Sequence, residues 1–124
     1  MTYAILPHSA DPRQVFTVDL TIDGESIHAR VEIRCLPAPD QWFISIWDNS
    51  SGELWVNMIP LICSYGEVND LFVPFRHIRE GKGIGSLIVL RDVDVPDTPD
   101  PAKGTMGQFV VLWGDTYEDG NTKH

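Results

Sequence analysis

Apolar and polar residues alternate on both sides of a two-residue turn in residues 14–36. The turn, Asp23-Gly24, is typical of a type I′ β-hairpin, because both positions need positive φ and these two residues tolerate it. If Ile22 faces Glu25, apolar residues meet on one face and polar residues on the other. The apolar rungs are Leu20 with Ile27, Val18 with Ala29 and Phe16 with Val31, and the polar rungs are Asp19 with His28 and Thr17 with Arg30. The pattern therefore predicts one core face and one solvated face.

A second predicted hairpin, formed by residues 42–48 and 54–61, is apolar on both faces. One face would carry Phe43, Trp47, Leu54, Val56 and Met58, and the other would carry Trp42, Ile44, Ile46, Trp55 and Ile59. One of these faces can join the core. The other needs a cover, which either this chain or another protein would supply, since tryptophan-rich patches often anchor interfaces.

The remaining patterns predict an all-β domain with one short helical turn near residues 68–73, which Pro74 would end. Residues 86–93 and 108–116 read as strands, so the architecture is a small antiparallel sandwich or a partly open barrel of about six to seven strands. The 124 residues are enough for one domain. Residues 1–13 form an N-terminal arm or edge strand, residues 14–117 the single β domain, and residues 118–124 a polar tail.

Charge narrows the possible partners. The net charge is -9, from 9 basic and 18 acidic residues, and this disfavours nucleic acid and anionic membranes as partners. Cys35 and Cys63 have no metal-ligand spacing and read as buried thiols. The first residues lack a signal-peptide pattern, and no apolar run reaches the roughly 18 residues of a membrane span. We therefore expect a soluble protein made in the cytoplasm.

No set of residues in the sequence predicts catalysis. The four histidines, at positions 8, 28, 77 and 124, are scattered, and the glycines at 81, 83 and 85 do not match a phosphate-binding loop. The acidic stretch from Asp92 to Asp100 does not fit an EF-hand, because the sixth and twelfth positions hold Asp97 and Lys103. We expect no catalytic residues, no cofactor and no metal site.

The order of these features resembles the baseplate plug proteins of simple contractile-tailed phages. The segments that carry the resemblance are residues 5–7, 14–18, 23–24, 42–46, 69–76, 85–89, 94–101, 104–105 and 109–113. The most distinctive is 71–76, where the family tends to carry Leu-x-Pro-aromatic-Arg and this chain has Pro74-Phe75-Arg76. The resemblance spans nearly the whole chain except its ends.

The resemblance implies a non-enzymatic structural protein of the virion, located in the tail baseplate in several copies. Its partners would be other baseplate proteins, namely hub, spike, wedge or tail-tube subunits. On this hypothesis the interface residues are Trp42, Trp55, Phe72, Phe75 and Arg76. Two rivals stay open: a small β-barrel module that binds a carbohydrate or another ligand through Trp42 and Trp55, and an enzyme whose catalytic set is not recognisable.

Overall fold

The computed structural model describes residues 3–7, 11, 13–36, 41–64, 68–79, 81–91, 100–101 and 106–116. In these residues, seven strands form two antiparallel sheets. The strands are β1 (Tyr3–Ile5), β2 (Arg13–Ile22), β3 (Glu25–Leu36), β4 (Gln41–Asp48), β5 (Leu54–Pro60), β6 (Ser86–Arg91) and β7 (Phe109–Gly114). The larger sheet has the order β2-β3-β4-β5 and the smaller one β1-β7-β6. The all-β prediction is confirmed, and the sheets do not close into a barrel.

The first hairpin has the predicted register at every rung, from Ile22 opposite Glu25 to Phe16 opposite Val31. Asp23 and Gly24 have φ of 51° and 85°, as a type I′ turn requires. Because this turn is local in sequence and matches strand twist, the register follows from the turn alone.

The second hairpin departs from simple alternation. Ile44 pairs with Ile59 but Ile46 pairs with Val56, so Ser45 faces two residues of β5. One of them, Met58, has φ of 54°, and its N–H donates to Ser45 Oγ at 2.9 Å. This bulge changes the parity of β5 at Val56, and a second register shift returns Leu54 to a position opposite Trp47. The expectation that Val56 shares a face with Phe43 is therefore wrong: Val56 is fully buried beside Ile46.

The helical turn expected near residues 68–73 is a 3₁₀ turn at Val73–Phe75, slightly later in the chain. Pro74 lies inside this turn and does not end it, because the fixed φ of proline suits the first positions of a helix, where its missing N–H is not needed. A second 3₁₀ turn, Met106–Gln108, precedes β7.

One hydrophobic core lies between the sheets. The larger sheet contributes Trp42, Ile44 and Val31, and the smaller sheet contributes Val111 and Trp113, all of them buried. The Trp113 indole N–H donates to the Ile84 carbonyl at 2.6 Å, so its polar atom is satisfied inside the core.

β1 is one of the two edge strands of the smaller sheet, and its Ala4 lies opposite Trp113 of β7. The predicted polar tail, residues 118–124, lies outside the described residues. No helix in the described part of the chain is long and apolar enough to cross a membrane.

Candidate protein interface

Three of the predicted interface residues lie in the core. Trp42 is 1% exposed, Phe72 is fully buried and Trp55 is 8% exposed. The Arg79 guanidinium lies 5.6 Å from the centre of the Trp55 ring and covers it. Contact of these three rings with a partner stays a prediction, and it would require the domain to open.

The other two predicted residues, Phe75 and Arg76, lie at the end of the 3₁₀ turn in the segment of residues 68–79. Phe75 is half-buried and meets Phe72 edge-on, with ring centres 6.0 Å apart. Arg76 is exposed, and its Nη2 lies 2.8 Å from Asp70 Oδ2. Next to them Val73 is half-exposed, so this turn presents an apolar residue and a cation side by side.

Asp70 fixes this segment to the smaller sheet. Its Oδ1 accepts the backbone N–H groups of Phe72 at 2.9 Å and Leu87 at 3.2 Å. Its Oδ2 accepts Arg76 Nη2 at 2.8 Å and the Ser86 hydroxyl at 2.6 Å. The carboxylate is almost fully buried, and these four donors replace the water that it loses. Its role is structural, since it positions Phe75 and Arg76.

The smaller sheet has a second face that points away from the core. Leu87 and Val89 of β6, and Val111 and Trp113 of β7, face the core. The residues between them point outward, and in the register of the sheet they lie beside Ile5 of β1. We call this surface the apolar outer face, formed by Ile5, Ile88, Leu90, Val110 and Leu112.

The apolar outer face is incompletely covered. Ile5 is 65% exposed and Leu90 is 37% exposed, whereas Ile88 is buried without belonging to the core cluster. The outward positions of β1, β6 and β7 carry no charged residue. A sheet surface of this kind is typical of a protein–protein contact.

The second face of the larger sheet is covered in part by this chain. The Arg30 guanidinium lies 4.7 Å from the centre of the Trp47 ring, and Arg34 lies opposite Phe43. Glu32 pairs with Arg13 at 2.8 Å beside them. Arg30 therefore covers part of this face from within the chain, at Trp47.

The apolar outer face was not among the predicted site residues. The signal for it is present, because β6 is apolar at consecutive positions and Val110 and Leu112 alternate with the core residues of β7. A strand whose residues are apolar on both faces is predicted to be buried on both faces. Which side remains uncovered depends on the packing of the sheets, which the pattern does not contain.

The described residues bring together no recognisable catalytic group. His28 Nδ1 lies 2.7 Å from Asp19 Oδ1 on an exposed strand face. Of the acidic stretch, residues 92–99 lie outside the described residues, and Asp100 Oδ1 accepts the Cys63 N–H at 2.8 Å. Among the residues that the structure describes, no group of three or more His, Cys, Asp or Glu could hold a metal ion.

Comparison of the chain with models of protein families and with curated proteins finds no match.

Proposed function

We propose that this chain is a structural, non-enzymatic component of a contractile phage tail, located in the baseplate and packed against other baseplate subunits. The observation that carries the proposal is the apolar outer face, which offers Ile5 and Leu90 to a partner on a rigid sheet. Burial of such side chains is the main favourable term in stable association. The resemblance to baseplate plug proteins supports the choice of assembly.

The 68–79 segment would extend this contact at its polar rim. Arg76 is held by Asp70 and is still partly open to solvent, so a carboxylate of a partner could share its guanidinium. Such rim charges set orientation and association rate more than affinity.

A carbohydrate-binding module is supported less well. It would need the faces of Trp42 and Trp55 at the surface, and both rings are buried. The half-buried tryptophan of the larger sheet, Trp47, already stacks with Arg30. Burial removes the two predicted rings from a sugar, and Arg30 occupies one face of the Trp47 ring.

The test is incorporation into tail particles. Phage carrying Leu90→Lys or Ile5→Lys should yield particles with fewer copies of this chain, counted against the tail-tube protein by quantitative mass spectrometry. A buried lysine at the centre of the contact would weaken it about tenfold or more. Leu54→Lys is the matched control, because Leu54 is 45% exposed on the other sheet.

Normal incorporation of the folded Leu90→Lys and Ile5→Lys variants would contradict the proposed docking surface. Absence of the wild-type chain from intact particles would contradict the baseplate assignment itself. Thermal unfolding of each purified variant serves as the check on folding.

A further inference from the structure

β2 is a long edge strand on which charge at two positions, Arg13 and Asp19, is the main protection against pairing. It runs for 10 residues along the edge of the larger sheet, with a continuous register to β3 and no bulge. It contains no proline and no lysine. Edge strands that stay unpaired are normally short, kinked or blocked by charge.

The outward backbone groups of β2 alternate regularly. Ile22 and Glu25 flank a two-residue turn and form a hydrogen-bonded pair, and such pairs alternate with non-hydrogen-bonded ones along the hairpin. The N–H and C=O groups of Arg13, Val15, Thr17 and Asp19 therefore point away from β3. Within the described residues, no other strand pairs with them.

The core side of β2 is also incompletely covered. Phe16, Val18 and Leu20 pack against the core but stay partly exposed, whereas their partners Ala29 and Val31 on β3 are fully buried. Near the turn, a groove of about 390 Å³ opens between β2 and the smaller sheet, with Leu20 and Ala4 on its walls. One more strand beside β2 would cover these side chains.

We propose that β2 pairs antiparallel with β2 of a second copy of this chain, with Phe16 of each copy at the two-fold axis. Val15 of one copy then exchanges backbone hydrogen bonds with Thr17 of the other, and Arg13 does so with Asp19. The proposal goes beyond the assembly role above, because it assigns a homodimer contact to a different edge of the domain.

Charge complementarity selects a second copy and this register. Arg13 and Asp19 are the two charged residues of β2, and their side chains are 71% and 77% exposed. With Phe16 at the axis, each Arg13 lies opposite Asp19 of the other copy. A shift that centres the pair on Thr17 or Val15 places Arg13 opposite a threonine and loses both ion pairs.

The contact would join an existing ion pair and an existing hydrogen bond into one row. Arg13 already meets Glu32 at 2.8 Å, and Asp19 meets His28 at 2.7 Å. In the dimer, Glu32, Arg13, Asp19 and His28 would alternate acceptor and donor across the new strand pair. The net charge of -9 on each copy opposes association, but at about 0.15 M salt the Debye length is roughly 8 Å and only short-range charges count.

The test is sedimentation equilibrium of the full chain across a range of concentrations at physiological salt. The wild type should form a dimer. Asp19→Arg should raise the dimer dissociation constant about tenfold or more, because Arg13 then faces an arginine at both symmetric positions. The double variant Arg13→Asp with Asp19→Arg restores opposite charges and should recover the dimer.

A backbone variant provides a second test. Thr17→Pro removes an outward N–H that makes no bond to β3, so the monomer should stay folded while the dimer is lost. Thr17→Val is the matched control, because it keeps the N–H. Hydrogen exchange should show the Val15 and Thr17 amides slowed at high concentration only, with the Phe16 amide protected at all concentrations.

A chain that stays monomeric up to its solubility limit would overturn the proposal. A dimer that tolerates both Thr17→Pro and Asp19→Arg would do the same, since it would form through another surface. If the Val15 and Thr17 amides became protected only after another tail protein was added, β2 would pair with a strand of that protein. That result would also overturn the homodimer. None of these results bears on the incorporation of Leu90→Lys, so the two proposals fail separately.

Discussion

At the scale of single residues, Gly85 and Asp70 determine how the chain enters the smaller sheet. Gly85 has φ of 79°, and a Cβ there would overlap the carbonyl oxygen of Gly114 and lie 2.7 Å from Ile22 Cγ2. The Asp70 carboxylate accepts four hydrogen bonds, two of them from Ser86 and Leu87 at the start of β6. Gly85 therefore combines a positive φ with a close approach to β7, whereas Asp70 acts through the hydrogen bonds of its carboxylate.

Gly85→Ala should be severely destabilising. Positive φ alone costs a non-glycine residue about 1 to 2 kcal/mol, and the clash with β7 adds to this, so we expect a loss of about 4 kcal/mol or more. Urea unfolding measures the loss. Gly81→Ala is the matched control, because its φ is 86° with open space around it. Equal losses for the two variants would show that the backbone conformation, and not the close approach, governs Gly85.

Asp70→Asn should loosen the 68–79 segment. The amide can keep one acceptor for the N–H groups of Phe72 and Leu87, but its NH₂ meets the donors of Arg76 and Ser86. The loss of two charge-assisted bonds at a buried site should cost about 2 to 3 kcal/mol of unfolding free energy. A neutral result at Asp70 would contradict its role as the anchor.

At the scale of elements, the turn of the first hairpin is tied to the end of the smaller sheet. Asp23 accepts the Thr116 N–H at 2.9 Å and the Thr116 hydroxyl at 2.6 Å, and its own N–H donates to Asp115 Oδ1 at 2.8 Å. The turn therefore has two roles, since Asp23 also adopts the positive φ that closes the hairpin.

A double-mutant cycle separates these roles. Asp23→Asn keeps a residue that tolerates positive φ but weakens the bonds to Thr116, and Thr116→Val removes the hydroxyl. The two changes should show a coupling of about 1 kcal/mol in unfolding free energy. Thr21→Val, exposed on the same hairpin, should couple with Asp23→Asn by less than about 0.3 kcal/mol. Additive losses for the two variants would mean that the hydrogen bond between Asp23 and the Thr116 hydroxyl contributes nothing to the unfolding free energy.

The elements also show how far the sequence alone predicts this fold. The β2–β3 register follows from Asp23-Gly24, because neighbouring residues contain all of its information. The face of Val56 does not follow from neighbouring residues, because the bulge that sets it includes the hydrogen bond between Ser45 and Met58 on two different strands. Likewise, tryptophan content marks interface residues and core residues equally, and the burial of Trp42 and Trp55 became visible only with both sheets in place.

At the scale of the whole molecule, both sheets share one core, so the domain should unfold as one unit. Tryptophan fluorescence reports on rings in both sheets, including Trp42 and Trp113, whereas far-UV circular dichroism reports on the strands. The two denaturation curves should coincide. A fluorescence change that precedes the loss of strand signal would show that the sheets separate first.

The pairing of β1 with β7 has a consequence for the order in which the domain forms during synthesis. Of the described strands, β1 leaves the ribosome first and its partner, β7, leaves last. The larger sheet is continuous from β2 to β5 and can form earlier, because its contacts are closer in sequence. The surface proposed for docking is thus completed last, so a chain that stops before β7 lacks it and cannot compete with finished copies for the proposed partner.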